Sequence, residues 1–127
     1  MKRQNISSGA RWEDVVGYSR AVRVGNTVEI SGTVSVRENK TVGVGDAYKQ
    51  TICILEIIKE NLEKAGAKFE DIIRTRIYVT DIKNWKEVGK AHGEAFSVIK
   101  PATSMVEVSA LIDTEYLVEI EASAWVN

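Results

Sequence analysis

One cysteine, one proline and one histidine are all that 127 residues supply of those three types. With Cys53 alone, no disulfide can close within the chain and no cysteine cluster can hold a metal. The N-terminal MKRQNISSGARWEDVV lacks the apolar run of a signal peptide. Nowhere does the chain approach the roughly 20 consecutive apolar residues that a membrane helix needs. These absences read as a cytoplasmic protein with no membrane association. Charge of one sign is missing too: 17 Lys and Arg against 18 Asp and Glu leave a formal charge of -1. A molecule so balanced has no general attraction for phosphate backbones, which argues against nucleic acid as a partner. No phosphate loop, dinucleotide fingerprint, metal-ligand spacing or catalytic triad signature occurs, so neither a cofactor nor a metal is expected.

What is present is hydrophobic patterning, with 44% apolar residues and no repeat, linker or low-complexity tract. This amount of apolar surface builds one core, and a single domain over 1–127 is expected. From Arg20 to Val36 apolar residues alternate with polar ones around Gly25-Asn26, which predicts a β-hairpin. Arg37 to Lys40 is charged and reads as the start of a loop through Gly43 and Gly45, ending where Asp46 can cap a helix. Tyr48, Ile52, Leu55, Ile58 and Leu62 then recur at spacings of three and four, placing a helix over Ala47 to Ala65, and Gly66 suits its left-handed end. Glu70 to Asp81 changes to period two: Ile73, Thr75, Ile77 and Val79 point one way, and Arg74, Arg76, Tyr78 and Thr80 the other. Asn84 to Glu87 has the form of a capping box before a second helix. That helix carries Trp85, Val88, Ala95, Phe96 and Ile99 on its apolar side and closes at Lys100-Pro101. Alternating runs from Thr103 to Leu111 and from Tyr116 to Val126 complete the chain. The order predicts an α+β fold, a two-layer sandwich with a mixed β-sheet and two helices on one face.

Two helices cover only one face of a sheet. The other would carry Arg74, Arg76 and Tyr78 with Met105, Glu107, Glu119, Glu121 and Trp125, a mixture that suits packing against sister chains or, alternatively, plain exposure to water. Glu119 and Glu121 share one strand face. They can do acid/base work if burial raises one of them, or pair with Arg74 and Arg76 across the sheet. His92 reads as a satisfied, partly buried histidine rather than a general base. Gly89 and Gly93 read as a close-packing pair, and Cys53 as an inert buried thiol.

The segment Pro101 to Leu111, PATSMVEVSAL, followed by Val118 to Ala122, VEIEA, resembles the signature of the RidA/YjgF family, P-A-R-S-x-V-E-V-x-x-L and then V/I-E-I-E-A. Gly17-Tyr18-Ser19-Arg20-Ala21 is similar to that family's G-P-Y-x-x-A/G without the proline, Ile30-Ser31-Gly32-Thr33 to its S-G-Q, and Tyr78 to Ile82 to its V-x-D-L. The resemblance implies a chorismate-mutase-like fold and a homotrimer with a small organic ligand at the interfaces between subunits. It also implies hydrolysis of reactive enamines and imines, such as 2-aminoacrylate, to 2-oxo acids and ammonia. By position it makes Glu119 the group that places water, with Tyr18, Ser31, Gly32, Thr103, Ser104 and Met105 lining the pocket. Thr103, however, stands where the family carries the arginine that clamps a substrate carboxylate, and Gly89 stands where active deaminases often carry asparagine. A neutral hydroxyl cannot replace a charge-assisted fork. Three readings therefore stand beside hydrolysis of a non-standard enamine or imine: a competent deaminase using the hydroxyls of Thr103 and Ser104, a trimer that binds without turnover, and RNA cleavage or translation inhibition. Arg76, on the inward-facing side of its strand, is the candidate substitute cation.

Overall fold

The computed structural model describes residues 2–127. The chain runs β1 (Arg3–Ile6), α1 (Arg11–Val16), β2 (Ala21–Val24), β3 (Thr27–Thr33), β4 (Val36–Arg37), β5 (Lys40–Thr41), α2 (Ala47–Lys64), β6 (Ile72–Val79), α3 (Trp85–Phe96), β7 (Ala102–Glu107) and β8 (Val118–Trp125). Six strands form one sheet in the order β1-β2-β3-β8-β6-β7, and β4-β5 is a separate small ribbon. All neighbours in the sheet are antiparallel except β6 and β7, which run parallel because α3 carries the chain back between them. This is the mixed α+β sandwich that the order of elements predicts.

The core lies between the sheet and α2. Ile54, Ile58 and Leu62 from the helix meet Val28, Ile77, Val79, Val118 and Ile120 from the strands, all fully buried. α2 starts where Asp46 accepts a hydrogen bond from the Lys49 amide at 2.9 Å, and α3 packs beside it. Burial in β8 follows the expected alternation, with Val118, Ile120, Ala122 and Ala124 inside.

Several details differ from the sequence reading. The N-terminal segment forms β1 and α1, neither of which has an amphipathic period long enough to predict. Arg37 to Lys40 is not loop: Val36 pairs with Thr41 across a tight turn in which Glu38 and Asn39 take positive φ values of 53° and 63°. Ile73 leaves the core face and is 56% exposed, because the pairing of β6 with β8 shifts between Ile72 and Arg74 and Ile72 is buried in its stead. Asn84 makes no side-chain cap. Asp81 instead accepts from the Lys83 amide at 2.9 Å and begins a short 3₁₀ turn, Ile82–Asn84, that leads into α3. Trp85, at the start of that helix, is exposed rather than buried. Both C-terminal strands are also shorter than their alternating runs suggest.

The largest difference concerns β7. Thr75 pairs with Thr103 and Ile77 with Met105, so Thr103, Met105 and Glu107 take the helix side of the sheet along with Thr75, Ile77 and Val79. Met105 packs against the core, and the Glu107 carboxylate accepts from the Ile82 amide at 3.0 Å. The face left bare by the helices therefore carries Ser104, not Met105 and Glu107, beside Arg74 and Arg76.

Candidate functional site

Glu119 stands on the bare face of β8, and the strand beside it makes room for it. Between Ile30 and Thr33 the pairing of β3 with β8 slips: Ile30 faces Ala122, whereas Thr33 faces Ile120. Ser31 and Gly32 form the resulting bulge, a device that redirects backbone and side chains next to functional groups. The Glu119 side chain lies over Gly32. A methyl group there would overlap the carboxylate and sit 3.0 Å from its carboxyl carbon, so the Glu119 side chain keeps this position only beside glycine. Ser31 fixes the bulge by donating from Oγ to the Ser19 carbonyl at 2.6 Å.

Tyr18 and Arg20 complete this cluster, and both are placed by the N-terminal elements. α1 ends at Gly17 in the left-handed conformation (φ 86°), with the amides of Gly17 and Tyr18 both donating to the Glu13 carbonyl at 2.9 Å. Buried Glu13 in turn accepts from Ser7 Oγ and the Ser8 amide, which ties α1 to the chain before it. Next, the Arg20 amide donates to the Ile6 carbonyl of β1 at 2.8 Å. The Arg20 guanidinium lies 5.6 Å from the Tyr18 ring centroid and donates to the Gly32 carbonyl at 2.8 Å, while its Nε is buried without a partner. Tyr18, Arg20, Thr33, Asn61 and Tyr116 line part of a hollow of about 670 Å³.

The electrostatics separate the two carboxylates of β8. Tyr78 donates its hydroxyl to Glu121 at 2.7 Å. Burial pushes the Glu119 carboxyl above its ordinary value, Arg20 opposing and Glu121 adding to the rise. A half-buried carboxyl with a raised pKa holds a proton more readily than an exposed one, which suits it to acid/base work. Arg20 had no sequence signal beyond its place in the GYSRA segment. Its role becomes visible only when β2 and β3 are paired.

The remaining sequence candidates fall elsewhere. Thr103 and Met105 are on β7, three strand spacings from β3, or about 14 Å, and they face the helix side while Glu119 faces the other. Thr75 Oγ1 donates to Thr103 Oγ1 at 2.7 Å and lies 2.9 Å from His92 Nε2. Ser104 accepts from Arg74 at 3.1 Å on the opposite face. Arg76 is also on that face, with its guanidinium 3.4 Å from Ser123 Oγ, and does not share a side of the sheet with Thr103. The only ion pair among the described residues is Arg37 with Glu60, so the expected pairing of Arg74 and Arg76 with glutamates does not form. No three His, Cys, Asp or Glu side chains converge among the described residues.

A mixed six-stranded sheet backed by two helices, with a carboxyl set against a strand bulge, defines a class of small α+β proteins, and the comparisons give that class a name. A family profile described as "Endoribonuclease L-PSP" matches residues 9–126. A crystal structure of a YjgF-family member from Mycobacterium tuberculosis is 50% identical, with a TM-score of 0.90 over 98% of this chain and 100% of that one. The 3-aminoacrylate deaminase RutC of Acinetobacter baylyi is 34% identical over 110 residues, 86% of each chain. A RutC family protein of Pyrococcus abyssi is 35% identical over 109 residues, 85% of each. The chain belongs to the RidA/YjgF family.

Proposed function

We propose that the protein is a homotrimer that binds a small organic molecule in the clefts between subunits and hydrolyses an enamine or imine that is not of the 2-aminoacrylate type. The observation that carries this reading is the Glu119 carboxyl, held over Gly32 with its pKa raised by burial. Such a group takes a proton from water as the water oxygen bonds to the imine carbon. With the imine entering protonated, it then returns that proton to the carbinolamine nitrogen and takes the proton of the new hydroxyl as the carbon–nitrogen bond breaks, so that ammonia leaves and a carbonyl remains. The relative named as a 3-aminoacrylate deaminase supports chemistry of this kind.

Two separate groups of candidate residues support a site built from two chains. Tyr18, Ser31, Gly32 and Glu119 would form one wall, and the β7 edge of a neighbouring subunit, with Thr103, Ser104 and the backbone at Met105, the other. Thr103 in place of a clamping arginine argues against a substrate anchored there by its carboxylate. A formal charge of -1 favours a small molecule over RNA, whatever the family description names.

The test is a coupled assay that follows loss of imines generated in place, one set carrying a carboxylate and one set lacking it. Acceleration over buffer is expected for the uncharged set and its loss in Glu119→Gln. Sedimentation should give a particle of three times 14.1 kDa. A 14.1 kDa particle without activity would sink the reading.

A further inference from the structure

Two buried side-chain polar atoms lack a hydrogen-bond partner among the described residues, Arg20 Nε and Asn61 Oδ1. Both residues belong to the walls of the hollow of about 670 Å³. Their chemistry fixes what each one lacks. A guanidinium nitrogen donates and never accepts, so Arg20 Nε lacks an acceptor, while Nη2 of the same group already donates to the Gly32 carbonyl. Asn61 Nδ2 donates to the Ile57 carbonyl at 2.9 Å. A carbonyl only accepts, so the side-chain amide cannot be turned round, and Oδ1 is left in need of a donor. Asn61 is 4% exposed, which keeps bulk water from supplying one. Native structures leave few such groups unmatched, because each is costly. The hollow lies apart from Glu119: Ile57, Asn61 and Lys64 of α2 form one wall, which puts it on the helix side of the sheet, and Trp12 and Tyr116 bring aromatic rings to the others. Of its charges, Arg37 and Glu60 pair with each other, and Glu38 partly offsets Arg20 and Lys64, so no strong field of one sign fills it.

We propose that this hollow is a second ligand site and that it takes a flat aromatic amide, either a carboxamide or a lactam. An amide brings a carbonyl acceptor for Arg20 Nε and an N–H donor for Asn61 Oδ1 on one rigid group. A carboxylate or a ketone brings acceptors alone and leaves Asn61 unmatched. The ring of the ligand lies against Trp12 and Tyr116, whose flat amphipathic faces suit it. Trp12 and Tyr18 are exposed, at 55% and 39%, and turn aside as the ligand reaches the two buried atoms. The site asks nothing of Glu119 and goes beyond the reaction proposed above.

The experiment is an NMR titration of the full chain with benzamide, benzoate and acetophenone, three probes of nearly one shape, following the backbone amides of residues 57–64 and the Trp12 indole N–H. Benzamide should bind at least tenfold more tightly than either of the others, with its shifts centred on those groups. Asn61→Leu has similar bulk without the acceptor, and should bring benzamide down to the level of acetophenone. Trp12→Ala changes an exposed position and should weaken benzamide at least threefold, which keeps the test decisive if the Asn61 variant folds poorly. No benzamide binding, shifts centred elsewhere, equal or tighter binding of benzoate or acetophenone, a preference that survives Asn61→Leu, or undiminished binding in Trp12→Ala overturns the inference. None of these outcomes bears on the cleft reading, which stands or falls on Glu119 and the assembled particle.

Discussion

Glu119 and Gly32 occupy complementary spaces: the carboxylate fills the volume that any side chain at position 32 would need. The bulge of β3 and the acid of β8 are thus one feature built from two strands. Gly32→Ala should push Glu119 out of place. We expect turnover to fall by at least tenfold with little loss of stability, because what must move is the end of a flexible side chain and not a packed core. Parallel kinetics and urea denaturation measure the two, and unchanged turnover would separate Glu119 from the chemistry.

Arg20 opposes the rise of the Glu119 pKa. Replacing it with Gln should move the acid limb of the pH–rate profile upward, because the charge that favours the ionised carboxylate is gone. Arg20→Lys should preserve most of the effect while losing the bond to the Gly32 carbonyl. Direct NMR titration of Glu119 gives the same comparison without an activity assay.

His92 and Glu119 should shape stability against pH in opposite ways. Burial lowers the His92 pKa from 6.5, so the folded state binds fewer protons than the unfolded one, and stability is lost as pH falls below about 6.5. Glu119 is raised from 4.5, so the folded state binds more protons, and stability is lost as pH rises through that range. Glu119→Gln should therefore be more stable than the parent at pH 7.5, and His92→Asn should flatten the slope between pH 7 and 5. Urea midpoints at four or five pH values test both.

Thr103→Arg would restore a guanidinium at the β7 edge. A charge-assisted pair contributes roughly 1.5–3 kcal/mol per bond, so affinity for pyruvate should rise about ten- to a hundredfold, with hydrolysis of carboxylate-bearing imines following. A variant that stays assembled but does not gain affinity would show that the carboxylate pocket lacks more than its clamp.

Much of this architecture is legible in the chain because the periods are long. The stripe through Ile58 and Leu62 and the alternation through Val118, Ile120 and Ala122 each repeat often enough to identify element and face. Parity in β7 was not legible: its side chains face according to parallel pairing with β6, and a shift of one residue reverses every assignment, as it does for Met105 and Glu107. A bulge hides Ile73 in the same manner. Among the candidate site residues, the motifs point to Glu119, Gly32 and Tyr18. The motifs do not mark the part of Arg20, whose position depends on β1 and α1, elements too short to leave a pattern.

β7 pairs with β6 alone, and Ala102, Thr103, Ser104 and Val106 are exposed along it. An unaccompanied chain thus offers the amides and carbonyls of that margin as a template for any extended peptide it meets. Substitutions that weaken assembly would consequently tend to yield precipitate in place of well-behaved protomers, and a lysine or proline at Val106 should be the change that keeps such protomers in solution.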